Sequence, residues 1–345
     1  MEHAPGISLH QKWPTMDIRD QIECMDALYQ KLKEIVDLEF PAYGSLYFTN
    51  TPNFPASKLS LDQEYCVGPN CGAMYWNCHV GQPRYYHEVN PNQGPCKSTK
   101  CLWTSITLIS TPGLDFLSYC DGLVDTGISR VPPAGAFRKR PRYHGSIQTQ
   151  HKLPEHGRAV IKKMAEDARI QNAASPIMFH PDLHKRNIFV SMDDPTVITA
   201  IIDWQSCSIE PAFWYADEVP DFAQPVPDPS CEDRIEPKSM AWAKAHNICT
   251  QFIVPKLSEP RLMDQSFFRA FRYCHRTWED GTVAFREDLI QTSLHWKDLG
   301  LANSAPYPLP DPDELAAHRR NYKLFQAAQR LRYTVSSLLN TATDG

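Results

Sequence analysis

The stretch Pro176 to Trp204, PIMFHPDLHKRNIFVSMDDPTVITAIIDW, decides the fold. Its apolar run Ile177 to Phe179 predicts a short strand, His180 to Arg186 a polar loop, Asn187 to Val190 a second strand and Val197 to Ile202 a third. Met192-Asp193-Asp194-Pro195 is turn chemistry, so the last two strands read as a β-hairpin. Asp182, Asn187 and Asp203 are thereby expected at the ends of strands. That is a placement for chemistry.

Phosphoryl transfer asks a protein for a carboxylate that orients an attacking hydroxyl, and for hard oxygen ligands that hold Mg²⁺ against nucleotide phosphates. Asp182 and Asn187 stand five apart, as in the H-R-D-x-x-x-x-N catalytic loop of protein kinases, and Asp203 takes the place of the metal-binding Asp that follows. Pro181 and Trp204 depart from that template. With His180-Pro181-Asp182-Leu183-His184, Asn187 and Ile201-Ile202-Asp203-Trp204, the stretch resembles instead the aminoglycoside phosphotransferase and choline kinase branch of the protein-kinase-like superfamily. A lone D-x-x-x-x-N is weak, because Asp and Asn are common turn residues. The order His180, Asp182, His184, Asn187, Asp203 between apolar strands is what makes it specific.

At 345 residues, with 42% hydrophobic and 22% charged residues, the chain has the composition of a globular protein with a sizeable core. A formal net charge of -5 gives no reason to expect a nucleic-acid partner. No apolar run approaches the ~20 residues of a bilayer span. MEHAPGISLHQKW has the pattern of neither a signal nor a transit peptide, which predicts a cytoplasmic chain, or a mitochondrial one should an upstream segment carry a transit peptide. Eleven cysteines include a group from Cys66 to Cys120. Their spacings are wider than those of zinc pairs, so buried reduced thiols are expected there, with a zinc site as the alternative.

Taken in order, residues 1–16 read as a hinge or linker remnant and 17–345 as one body. Ile18, Ile22, Met25, Leu28, Leu32 and Ile35 predict a helix from Asp17 to Phe40, and GSLYF at 44–48 a strand. Residues 51–150 read as a loop-rich insertion, with a helix from Ser98 to Ile109 and a basic cluster, Arg138-Lys139-Arg140 and Arg142, expected on a solvated face. Pro154 is expected in the first turn of a helix reaching Gln171. Within it Ala159-Val160-Ile161-Lys162 mimics the kinase V-A-I-K motif, but on a helix, so the match is rejected. Glu210, Asp217, Glu218 and Asp221 read either as facing a cationic acceptor or as ordinary exposed carboxylates of a Pro-rich loop. Residues 230–345 read as helices, with stripes at Met263, Phe267, Phe271, Cys274, Trp278 and at Phe325, Ala328, Leu331, Val335, Leu338 expected in the core.

MEHAPGISLHQKWPTM, FPAYGSLYF, Cys66-Val67-Gly68-Pro69, FHPDLHKRNIFV and IIDWQSCSIEPAFWYADEVPDF resemble one fungal group of these phosphotransferases, proteins similar to altered inheritance of mitochondria protein 9. The resemblance implies an α+β, mainly helical fold: a kinase-like carboxyl-terminal lobe whose small β-hairpin carries the catalytic and metal loops, without the five-stranded amino-terminal lobe. It implies transfer of the ATP γ-phosphate, with Mg²⁺, to a hydroxyl of a small-molecule acceptor. Asp182 would be the catalytic base and His180 its brace, Asn187 and Asp203 metal ligands, and His184 and Lys185 cofactor-binding residues. Nothing matching the glycine-rich loop or nucleotide lysine is present. The chain is then an incomplete product, a degenerate lobe acting as a binding module, or one part of a site whose missing lobe a separate chain supplies.

Overall fold

The computed structural model describes residues 3–51, 58–70, 115–131, 140–205, 207–228 and 231–343. In chain order the elements begin with β1 (Ile7–Ser8), α1 (Leu9–Lys12), α2 (Ile18–Val36), β2 (Ser45–Phe48), β3 (Leu59–Ser60) and β4 (Tyr65–Gly68). There follow α3 (Phe116–Ser129), α4 (Ile147–Ala165), α5 (Ala168–Ala173), β5 (Pro176–Met178), β6 (Ile188–Val190), β7 (Ile198–Ile201) and β8 (Ile209–Pro211). The rest are β9 (Pro227–Asp228), β10 (Cys231–Ile235), α6 (Pro237–Ile253), α7 (Pro255–Leu262), α8 (Arg269–Tyr273), α9 (Thr277–Asp280), α10 (Thr282–Leu294) and α11 (Pro312–Thr343). They fall into two compact units, Met1–Met74 with Asn172–Met263, and Tyr75–Gln171 with Asp264–Gly345.

In the first unit the residues expected as a linker are ordered instead. Ile7, Leu9 and Trp13 give this segment an apolar side, and Leu9 and Trp13 are buried. Burial of that kind is worth ~1.5–3 kcal/mol per large apolar side chain, enough to hold a short segment down. β1 pairs antiparallel with β6, Ile7 opposite Val190, making a three-stranded sheet in the order β1-β6-β7. Only glycine fits just before it: Gly6 has φ 90, and a Cβ there would sit 2.1 Å from the Val190 carbonyl oxygen. β6 and β7 pair antiparallel, Ile188 opposite Ile201, which is the hairpin that the sequence predicts.

α2 starts where Asp17 accepts the Asp20 N–H and packs against α6. Its buried face is Gln21, Cys24, Met25, Leu28, Tyr29, Leu32 and Val36, rotated by about a residue from the predicted stripe, and Ile22 is exposed. The core joins this face to Ile177, Phe179, Leu183, Ile188, Val190 and Phe222, so the strands flanking the His180 loop are anchored in it. GSLYF supplies β2, which pairs antiparallel with β4.

In the second unit α3 packs on α4, and α4 on α8 and α10. α3 lies within residues 51–150, which read as loop-rich, because Leu123 and Val124 carry its buried side across a stretch broken by Gly122 and Gly127. α4 begins at Ile147 with Ser146 capping Thr149 N–H, so Pro154 lies inside the helix rather than in its first turn. Arg158 ties α4 to α3 through Asp121 (2.8 Å) and Asp125 (2.6 Å). Phe267, Phe271 and Cys274 are buried as expected, on short helices broken at Asp264 and Arg276. On α11 only Phe325 of the predicted stripe is buried, while Leu331, Val335 and Leu338 are exposed. The expected helix at 98–109 and most of the basic cluster lie outside the described residues. Among the described residues no helix is long and apolar enough to cross a membrane.

Candidate active site

The loop between β5 and β6 is closed by its own polar atoms. His180 is fully buried, its Nε2 lies 2.8 Å from the Ile202 carbonyl oxygen, and its Nδ1 3.1 Å from the Asp182 amide nitrogen. A carbonyl only accepts and an amide only donates, so the ring is neutral with its proton on Nε2. Burial first of all pushes the imidazole below its ordinary 6.5, which keeps it in that state at neutral pH. The Trp204 ring packs against it in a T-shaped arrangement, ring centroids 4.7 Å apart. One side chain thus ties the backbone of Asp182 to the residue that precedes Asp203.

Asn187 makes a second tie. Its Nδ2 donates to the Asp182 carbonyl oxygen (3.0 Å), and its own carbonyl accepts the Ile202 N–H (2.9 Å). Asn187 Oδ1 then remains the amide's acceptor. Asp203 follows at φ 66, a left-handed conformation that Asp and Asn tolerate better than other side chains. Asp182 itself points outward, with its side chain 66% exposed.

His184 turns to the base. Its Nδ1 accepts the Arg186 N–H (3.2 Å), so Nε2 carries the proton and donates to Asp182 Oδ2 (3.1 Å). Lys185, expected beside the nucleotide, is held elsewhere: its backbone N–H (3.0 Å) and Nζ (3.4 Å) both reach Asp221, and Nζ lies 5.7 Å over the Trp13 ring. The loop therefore gathers His180, Asp182, His184 and Asn187, and sends Lys185 to a brace.

Of the acidic residues that follow, Glu210 is buried and accepts from Ser208 (2.9 Å) and Asn70, and Asp221 holds Lys185. Glu218 is different. Crowding by the walls around it, and then the negative charge of Asp182, push its carboxyl up to about 7, although the side chain keeps contact with solvent. The residues that surround Glu218 come from segments far apart in the chain, and no local pattern announces them.

For a Mg²⁺ ion the donor set is suitable. Neither Asp203 nor Asn187 Oδ1 has a hydrogen-bond partner among the described residues, and both offer hard oxygen. Among the described residues no group of three or more His, Cys, Asp or Glu gathers. Mg²⁺ typically takes only one or two protein ligands and completes its shell with phosphates and water. In the cysteine group, Cys66 and Cys120 are buried free thiols, and the others lie outside the described residues.

Comparison with known proteins points the same way. Residues 125–214 match the model of APH, the phosphotransferase enzyme family. Two subtelomeric hrmA-associated cluster proteins from two strains of Aspergillus fumigatus are each 24% identical over 233 residues, covering 63% of this chain. The chain spans 44% of the length of these curated relatives. No solved structure matches. The matched segment holds the whole loop from His180 to Asp203, and over that segment the chain is similar to the phosphotransferase enzyme family.

Proposed function

We propose that this chain supplies the acceptor-activating and metal-holding half of an ATP-dependent phosphotransferase acting on a hydroxyl of a small molecule. The observation that carries the reading is the double tie through His180 and Asn187, which fixes the Asp182 backbone and leaves its carboxylate outward. Asp182 accepts the proton of the attacking hydroxyl at its carboxylate, and the His184 N–H on Oδ2 sets the direction of the other oxygen. His180 holds no proton in flight; its ring keeps the two halves of the site in register. Asn187 Oδ1 and Asp203 would hold Mg²⁺, which when bound neutralises charge on the transferring phosphoryl group. Positioning and electrostatics are most of what this reaction needs from a protein.

The test is melting of the chain with and without Mg-ATP, followed by transfer assays against hydroxyl acceptors. A ligand at a hundred times its Kd stabilises by ~2.7 kcal/mol, a shift of several degrees. Asp182→Asn should keep that shift and lower kcat by ~10²–10⁴, the usual contribution of a general base. Binding of Mg-ATP without transfer to any acceptor would favour a binding module instead, and no shift at all would remove the nucleotide.

A further inference from the structure

Beside the loop, the first unit has a pocket lined by Tyr29, Phe179, Tyr215, Glu218, His246 and Arg261, among others. Its enclosed part is narrow, with room for about one small group, and it opens to solvent at its mouth. Phe179, which lines it, is the residue before His180, so the pocket adjoins the loop that carries Asp182.

Arg261 is the unusual member. Its Nη1 donates to His246 Nε2 (2.7 Å) and its Nη2 to Asn247 Oδ1 (3.0 Å), both uncharged acceptors. Because Nε2 accepts, His246 carries its proton on Nδ1 and donates to the Tyr29 oxygen. Burial, and then the Arg261 charge, push His246 down to about 4, so the ring adds no charge of its own. By contrast, Arg158 meets Asp121, Asp125 and Glu155, and Arg276 meets Asp280. No described carboxylate comes within ion-pair reach of Arg261. Arg261 is partly exposed, so an anion can reach it, and its planar fork matches carboxylate and phosphate oxygens.

We propose that the Arg261 side of this pocket binds an oxyanion, carboxylate or phosphate, carried by the molecule whose hydroxyl is phosphorylated at Asp182. The word acceptor rests on the transfer reading; the oxyanion rests on the pocket alone. A cationic amino alcohol meets the wrong charge here. Glu218 does not forbid an anion, since near neutral pH its carboxyl is partly protonated.

Isothermal titration of the full chain, without Mg²⁺ or nucleotide, tests this with inorganic phosphate, D-glycerate and choline as probes. Phosphate or glycerate should bind, whichever oxyanion the fork prefers, and choline should not. Arg261→Gln should weaken the anion at least tenfold and Arg261→Lys less. Asn247→Asp sets a carboxylate against the same fork without changing side-chain volume. It should abolish anion binding in a chain that still melts cooperatively. Equal anion affinity in the wild type and in both Arg261→Gln and Asn247→Asp would overturn the proposal, as would no binding of either anion or tighter binding of choline. Phosphorylation of choline with no anion bound would overturn it while leaving the transfer reading intact. Anion binding without transfer to any hydroxyl would support the oxyanion site and remove the transfer reading.

Discussion

At the residue scale, Asp203 separates two demands that one position must meet, a backbone turn and an oxygen for a metal. Its φ of 66 costs a residue with a Cβ ~1–2 kcal/mol relative to an ordinary conformation, and Asp lessens that cost with its short polar side chain. Asp203→Gly should therefore fold, accepting the turn without a Cβ, and Asp203→Ala should be less stable than Asp203→Gly by ~1 kcal/mol in urea melts. Both should lose the Mg²⁺-dependent part of any nucleotide-induced rise in Tm. A full rise in Asp203→Gly would show that the carboxylate holds no metal. His180 has no such division of labour. It sits between an amide donor and a carbonyl acceptor, and a glutamine there can offer one of each but not at the imidazole's spacing.

At the scale of elements, α4 is pinned at two levels. Arg158 joins it to α3, and Gly157 lets the Phe285 ring of α10 lie against its backbone, where a Cβ would fall 2.2 Å from a ring atom. Phe285 is fully buried, so the ring cannot swing into solvent. Gly157→Ala should cost ~1–3 kcal/mol by overpacking, although alanine is the better helix former. Adding Phe285→Leu should recover part of that loss in a double-mutant cycle of urea midpoints. Additive losses would mean that the ring and the helix do not meet.

Elements also show what was legible in the chain. The loop from His180 to Asp203 could be read because its ties join residues close in sequence and because its strands end on turn residues. α2 was legible as a helix but not in phase, since Cys24 and Tyr29 take core places that an aliphatic count gives to Ile22 and Ile35. α3 was not legible, because its glycines read as loop until its packing on α4 is known. The stripe on α11 misled for the opposite reason: helical spacing shows which residues share a face, and not that another element covers it. Arg261 and Glu218 gave no local signal at all, as their meaning comes from a pocket built by distant segments.

At the scale of the whole molecule, opposed titrations set how stability depends on pH. Burial lowers His144 and His180 below 6.5, His246 to about 4 and His275 to about 3. Those groups stabilise the fold above their unfolded 6.5, and the contribution is lost as pH falls through the folded values. Asp288 on α10 acts in the reverse sense. Its Oδ2 is buried with no partner among the described residues, and burial pushes it up to about 8 against the pull of Arg269 and Arg272. Protonated Asp288 is the favoured form in the fold, so its contribution is full below its unfolded 3.8 and lost as pH rises through 8. From about 7.5 to 8 the histidines are almost wholly neutral in both states and the raised acids act against little opposition, Asp288 chiefly and Glu218 less because it touches solvent. Urea midpoints of the wild type should therefore decline across that window, by ~0.4 kcal/mol. Asp288→Asn keeps the shape and removes the proton equilibrium, so its midpoint should stay level over the same range with an unchanged m-value. A parallel decline in the variant would place the titrating group elsewhere and show that water reaches Asp288 in the folded chain.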